Sequence, residues 1–131
     1  MEDDRNMYQC VDNPRHYAAW VDICQYKTAG CGLIYGGVNA FTTTAFVKIN
    51  GYSNKYWGWG GEDDDLLKRV KSVGYKLLRP SSQVTRYTMM KHSRQKNSQP
   101  NPNRFRLIDE ASKRWNEDGL KVSTISILII F

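Results

Sequence analysis

Two tryptophans and four acids fall within one ten-residue run, Tyr56-Trp57-Gly58-Trp59-Gly60-Gly61-Glu62-Asp63-Asp64-Asp65. Four adjacent carboxylates repel one another and cannot all be buried, so a packing role alone does not account for them. Indole faces beside carboxylates suit a polyhydroxylated ligand: the ring covers the apolar C–H face of a sugar and the acids accept hydrogen bonds from its hydroxyls. The glycines allow the segment to move, or its backbone to approach a ligand closely. A plainer role competes with this one. Leu66, Leu67, Val70 and Val73 have helical spacing and Gly74 is a natural stop, so the acids also open a helix over 64–73 and favour its positive end. That explains one or two acids, but neither the tryptophans nor the three glycines; a helix start that is also a ligand site explains all of them.

The elements that must position this run fit one domain, or part of a larger one, in 131 residues. A hydrophobic content of 40% with 24% charged residues argues against disorder, and 12% aromatics agree with stacking on sugars or bases. The net charge of +6 would serve a nucleic acid or an anionic nucleotide-sugar equally well. The basic residues are dispersed, and the acid run would repel phosphate, so nucleic-acid binding is not expected. Cys10, Cys24 and Cys31 are an odd set with no CxxC spacing, so at least one thiol has no partner within this chain. No signal peptide or membrane-length apolar span is present, and Ile125 to Phe131 reads as a strand or a sticky edge.

Along the chain, Tyr17, Ala19, Val21 and Ile23 alternate as in a strand within 14–26, and Val38 to Phe41 forms a short strand. Thr42 or Thr43 caps a short helix through Ile49, closed by Asn50-Gly51. After the acid-led helix, strands follow over 75–78 and 84–88, separated by the Pro80-Ser81-Ser82 turn. The polar segment 93–103 is a loop, an exposed connector or a lid. Asn103 is placed to cap a helix over 104–116 that stops at Gly119. The order predicts a mixed α/β sheet.

With these residues in hand, the chain resembles the C-terminal half of the catalytic domain of the beta-1,4-galactosyltransferase family. The resemblance runs from about residue 6 to about residue 119, with a divergent tail over 120–131. Its anchors are Pro14-Arg15-His16, Tyr35-Gly36-Gly37-Val38, Ile49-Asn50-Gly51-Tyr52, the tryptophan–glycine–acid run, Met89-Met90-Lys91-His92-Ser93-Arg94 and Pro100-Asn101-Pro102-Asn103-Arg104-Phe105. It implies an α/β fold of the GT-A nucleotide-diphospho-sugar transferase type, present in part. It also implies inverting, manganese-dependent transfer from UDP-galactose or UDP-N-acetylgalactosamine to the 4-hydroxyl of an N-acetylglucosamine-terminated glycan. Family members are single-pass type II proteins of the Golgi lumen, so any membrane contact is expected through an N-terminal anchor outside this chain.

The resemblance also assigns residues. Asp63 matches the catalytic base, and crowding by neighbouring acids raises the pKa of at least one of them. Trp59, Gly60, Asp63, Asp64, Arg104, Phe105 and Ile108 match the acceptor site, the last three around the N-acetyl group. Phe105 and Ile108 have a plainer role as core residues. Ile34, Trp59, Glu62 and His92 match the donor side. Ile34 stands where galactose-transferring members tend to carry Tyr; a smaller aliphatic side chain there leaves room for a 2-acetamido group. Met89 and His92 match metal ligands, although a Met is more often core and a lone His structural. The third ligand, in an Asp-Val-Asp motif, is expected upstream of the position matching Met1, and Glu2, Asp3 and Asp4 do not match it. The isolated chain is therefore expected to have little or no activity. The alternative is a non-catalytic carbohydrate-binding fragment.

Overall fold

The structure, a computed structural model, describes residues 5–9, 11–27, 35–91 and 99–122. In chain order it contains strand β1 (Arg15–His16), strand β2 (Trp20–Val21), a 3-10 turn (Asp22–Cys24) and strand β3 (Asn39–Ala40). Helices α1 (Thr43–Lys48) and α2 (Glu62–Ser72), strand β4 (Arg86–Tyr87), helix α3 (Arg104–Arg114) and a 3-10 turn (Gly119–Val122) follow. β1 pairs antiparallel with β3 in the register Arg15↔Ala40, and β2 pairs parallel with β4 in the register Trp20↔Arg86. The strands thus form two small pairs, one antiparallel and one parallel, with α1 and α2 between β3 and β4 and α3 after β4.

The expected strand over 14–26 is broken. The Ala19 amide turns back onto the Tyr17 carbonyl, and the chain then winds into the 3-10 turn, closed by Gln25 and Tyr26 at positive φ. Tyr17 and Val21 point inward as alternation predicts, but Ile23 is exposed. Likewise 75–78 pairs at Leu78 alone: its amide reaches the Pro14 carbonyl and its carbonyl accepts from the His16 amide. In 84–88 only Arg86–Tyr87 is strand, because the Val84 and Thr85 amides turn back to the Ser81 carbonyl. The expected strand at 125–131 lies outside the described residues.

The helices follow the sequence more closely. The Thr42 hydroxyl accepts the Ala45 amide at 3.1 Å and caps α1, which ends where Asn50 enters the left-handed region. In α2, Leu66, Leu67 and Val70 are buried with Tyr35 and Ile49, and Val73, Phe41, Phe46, Tyr75 and Leu77 pack around them. α3 buries Leu107 and Ala111 and packs on α2. Asn103 does not cap α3 through its side chain; the Asn101 carboxamide accepts the Asn103 amide at 2.9 Å, and the Asn101 carbonyl takes the Arg104 amide. Among the described residues, no helix is long and apolar enough to cross a membrane.

Candidate functional site

α2 begins two residues before the expected Asp64, so all four acids occupy its first turn. Their charge opposes the exposed amides of that turn. Gly61, at a φ of 101°, is the N-cap; a Cβ there would lie 2.7 Å from the Tyr56 ring. The tryptophan turn leads directly into the helix. Trp59 is joined to the segment before α3 by two backbone hydrogen bonds: its amide donates to Gln99 and its carbonyl accepts from Asn101. Gly58 permits this approach, since a Cβ at that position would come within 2.6 Å of the Gln99 carbonyl oxygen.

The turn presents Trp57, 82% exposed, and Trp59, 57% exposed. The Arg104 guanidinium lies 6.0 Å from the Trp59 ring centroid and 4.5 Å from that of Phe105. Gly60 faces the Arg104 side chain. Trp59, Gly60, Arg104 and Phe105, far apart in sequence, thus form one wall. Phe105 is 65% exposed, which excludes the core role weighed for it; Leu107, two residues on, takes the inward position. Ile108 is half-buried on α3, and its carbonyl accepts a hydrogen bond from Lys68 of α2 at 2.6 Å.

The acids divide sharply. Asp63 is half-buried; burial first, then the charges of Glu62 and Asp64, raise its carboxyl above the usual value. Asp64 is raised in the same way, by desolvation and then Glu62, against the pull of Lys68. Glu62 keeps one buried carboxylate oxygen, Oε2, without a hydrogen-bond partner among the described residues. Asp65 is different: it is fully buried, 2.5 Å from Arg69 Nε and 2.7 Å from Arg114 Nη2, and it accepts the Tyr56 hydroxyl at 3.0 Å. Asp118 bonds both of the same arginines from the other side and accepts the Ser53 hydroxyl at 2.6 Å. Two carboxylates and two guanidiniums close a neutral ring joining α2, α3 and the Tyr56 turn. Sequence reasoning missed Arg69, Arg114 and Asp118. Their only local signals are the four-residue spacings Asp65–Arg69 and Arg114–Asp118.

Of the expected metal ligands, Met89 follows β4. Its amide donates to Asp22 Oδ1 at 2.9 Å, and it lines a cavity of about 350 Å³ with Val21, Cys24, Gly37 and Tyr87. Ile34 and His92 lie outside the described residues. No group of three or more His, Cys, Asp and Glu is placed to hold a metal among the described residues. One thioether does not by itself fit manganese, which prefers oxygen donors. The described residues therefore do not assemble the expected metal site.

Comparison with known proteins shows the family and the fold. The family model described as the N-terminal domain of galactosyltransferase matches residues 15–93. That span includes the whole tryptophan–acid run. The chain belongs to the beta-1,4-galactosyltransferase family. It is 43% identical over 118 residues to human beta-1,4-galactosyltransferase 2, covering 90% of this chain and 32% of that protein. It is 39% identical over 129 residues to human beta-1,4-galactosyltransferase 4, covering 98% of this chain and 37% of the relative. The chain thus spans about a third of the length of these curated relatives. Among solved structures, the catalytic domain of Drosophila beta-1,4-galactosyltransferase 7, in complex with xylobiose, matches with a TM-score of 0.64 at 25% identity. That match covers 95% of this chain and 52% of the Drosophila chain. The α/β fold is thus a GT-A-type galactosyltransferase fold, present in part.

Proposed function

We propose that this chain is the C-terminal portion of the catalytic domain of an inverting transferase. The parent enzyme moves galactose or N-acetylgalactosamine from its UDP-sugar to the 4-hydroxyl of an N-acetylglucosamine-ended glycan. The observation that carries this is Asp63: a carboxyl of raised pKa, with no arginine paired to it among the described residues, two residues beyond the glycine turn that carries the exposed Trp59. Asp63 takes the proton of the attacking hydroxyl. The freed oxygen bonds to the anomeric carbon, and the bond from that carbon to the diphosphate oxygen breaks, its electron pair leaving with UDP. Trp59, Gly60, Asp64, Arg104, Phe105 and Ile108 hold the acceptor; Ile34, Glu62 and His92, with Trp59, hold the donor. Manganese enters through the resemblance alone, with Met89 and His92 as the residues it would touch, and no step here runs through it. Location in the Golgi lumen, behind an N-terminal membrane anchor, is part of the same proposal.

A second proposal, a carbohydrate-binding fragment without transfer, is favoured by the exposed wall of Trp59, Arg104 and Phe105, which can hold a sugar by itself. The deciding experiment incubates the full-length protein with UDP-galactose or UDP-N-acetylgalactosamine and an N-acetylglucosamine acceptor, and reads the product linkage by NMR. A β1,4-linked disaccharide is expected, with UDP-N-acetylgalactosamine used at least as well as UDP-galactose and Ile34→Tyr shifting the preference toward galactose. Sugar binding with no product would favour the fragment. A strong galactose preference untouched by Ile34→Tyr would end the donor assignment.

A further inference from the structure

Tyr35 carries a hydroxyl that the assigned chemistry does not use. The side chain is 0% exposed, and its hydroxyl has no hydrogen-bond partner among the described residues. Buried hydroxyls in folded proteins are almost always paired, and an unpaired one destabilises the fold, so this group calls for a reason. The position of the ring supplies a direction. Tyr35 packs in the core with Leu66 and Val70 of α2. Glu62 and Asp63 stand four and three residues before Leu66, one turn up the same helical stripe. The Tyr35 backbone is pinned as well: the Asn39 carboxamide donates to its carbonyl at 2.8 Å, and the buried His16 ring meets its ring edge-on at 5.3 Å. His16 in turn holds the next residue, its Nε2 lying 3.0 Å from the Gly36 carbonyl oxygen. The Tyr35 ring is therefore held in place in the core beside α2.

Electrostatics agree with that placement. Burial first, then Tyr52 and the Asp63 carboxylate, against the opposing charge of Arg79, push the Tyr35 phenol far above its ordinary value. The group stays protonated through the neutral range and acts as a donor. A second orphan sits on the same stripe, and it is an acceptor: the buried Oε2 of Glu62. One buried donor without an acceptor and one buried acceptor without a donor are the complement of a hydroxyl group, which accepts once and donates once.

We propose that Tyr35 is a further sugar-binding residue, its hydroxyl donating to a sugar hydroxyl whose own proton is accepted by Glu62 Oε2. This rests on the carbohydrate-transfer proposal above. It adds a contact that a phenylalanine, filling the same core space, would lack. It also assigns a use to an otherwise costly group: the unpaired hydroxyl weakens the free protein and is satisfied when substrate arrives.

The test uses the full-length protein and Tyr35→Phe, which removes one oxygen and keeps the ring in the core. Two readouts are expected to move in opposite directions. Without substrate, the thermal midpoint of Tyr35→Phe equals or exceeds that of the unsubstituted protein. With UDP-galactose and an N-acetylglucosamine acceptor, kcat/KM falls by about three- to tenfold, the loss of one hydrogen bond. A panel of monodeoxy UDP-galactoses and monodeoxy N-acetylglucosamine acceptors then locates the partner. At one hydroxyl position, the deoxy penalty seen with the unsubstituted protein disappears in Tyr35→Phe. If Tyr35→Phe transfers sugar as fast as the unsubstituted protein, the contact is overturned and the transfer proposal stands. If every deoxy penalty persists unchanged in Tyr35→Phe, the hydroxyl meets only water and the contact is likewise overturned. If the unsubstituted protein transfers and binds no sugar, the functional proposal fails and takes the contact with it.

Discussion

Asp63 and Asp65 lie two residues apart on α2, and their surroundings are opposite. Asp65 is enclosed by Arg69, Arg114 and the Tyr56 hydroxyl, so its charge is neutralised inside the protein. Asp63 shares its turn with Glu62 and Asp64, and the burial and like charges that raise its pKa go uncompensated by any arginine of the ring. The helix period makes the division: Asp65 shares a face with Arg69, one turn on, while Glu62 and Asp63 share one with Leu66. One acid run therefore serves two purposes. The enclosed end fixes where the helix begins, and in the proposed function the open end keeps a carboxylate reactive at that fixed place. The ring also joins α2 to α3, the helix that carries Arg104 and Phe105, so the proposed base and acceptor wall share one anchor.

The largest effect is expected on the enclosed side. Removing one member of the buried ring leaves one buried charge without its counter-charge, so Asp65→Ala or Arg114→Ala should cost about 3–5 kcal/mol. Urea denaturation of the full-length protein measures this, and a loss below about 1 kcal/mol would show that the ring holds little. At the exposed wall the order should reverse. Trp59→Ala is expected to change stability by no more than about 0.5 kcal/mol while weakening acceptor binding by about tenfold, read by titration with N-acetylglucosamine. A Trp59→Ala protein that unfolds easily but binds normally would dissolve the distinction between the two regions.

Acid titration sharpens the comparison further, because the two sides carry opposite signs. Burial opposes the charge on Asp118, but the Ser53 hydroxyl, the Arg69 hydrogen bond and the charges of Arg69 and Arg114 outweigh it and hold that carboxyl below its ordinary value. Its stabilisation is present above the ordinary carboxylate range and is lost as pH falls through the lowered value. Asp63, raised, binds its proton more readily folded than unfolded, so its ionisation weakens the fold at neutral pH and that penalty lifts as pH falls. Asp63→Asn should therefore melt slightly higher than the unsubstituted protein at neutral pH, with the difference fading toward acid. A thermal-melt series over pH checks this; a lower melting point for Asp63→Asn at neutral pH would contradict the sign.

Much of this arrangement was legible in the sequence, for identifiable reasons. The apolar stripe of α2, the Thr42 cap and the stops at Asn50-Gly51 and Gly74 are local signals, each carried by a few neighbouring residues, and the structure follows them. The tryptophan–acid run was visible as a ligand-type cluster because of its unusual composition. The strands were overread because alternation in 14–26 survives even where the chain turns, and strand pairing depends on distant partners. Asn103 was a reasonable cap, but Asn101 sits where the bond can form. The ring stayed hidden because Arg114 and Asp118 reach Asp65 and Arg69 across 49 residues of chain, and only their four-residue spacings are local.

The most direct measurement is the turnover of the full-length Asp63→Asn protein at saturating UDP-sugar and acceptor. If Asp63 is the base, kcat falls by about 10²- to 10⁴-fold while the protein stays folded. A rate within about threefold of the unsubstituted protein would place the proton acceptor elsewhere and contradict the account.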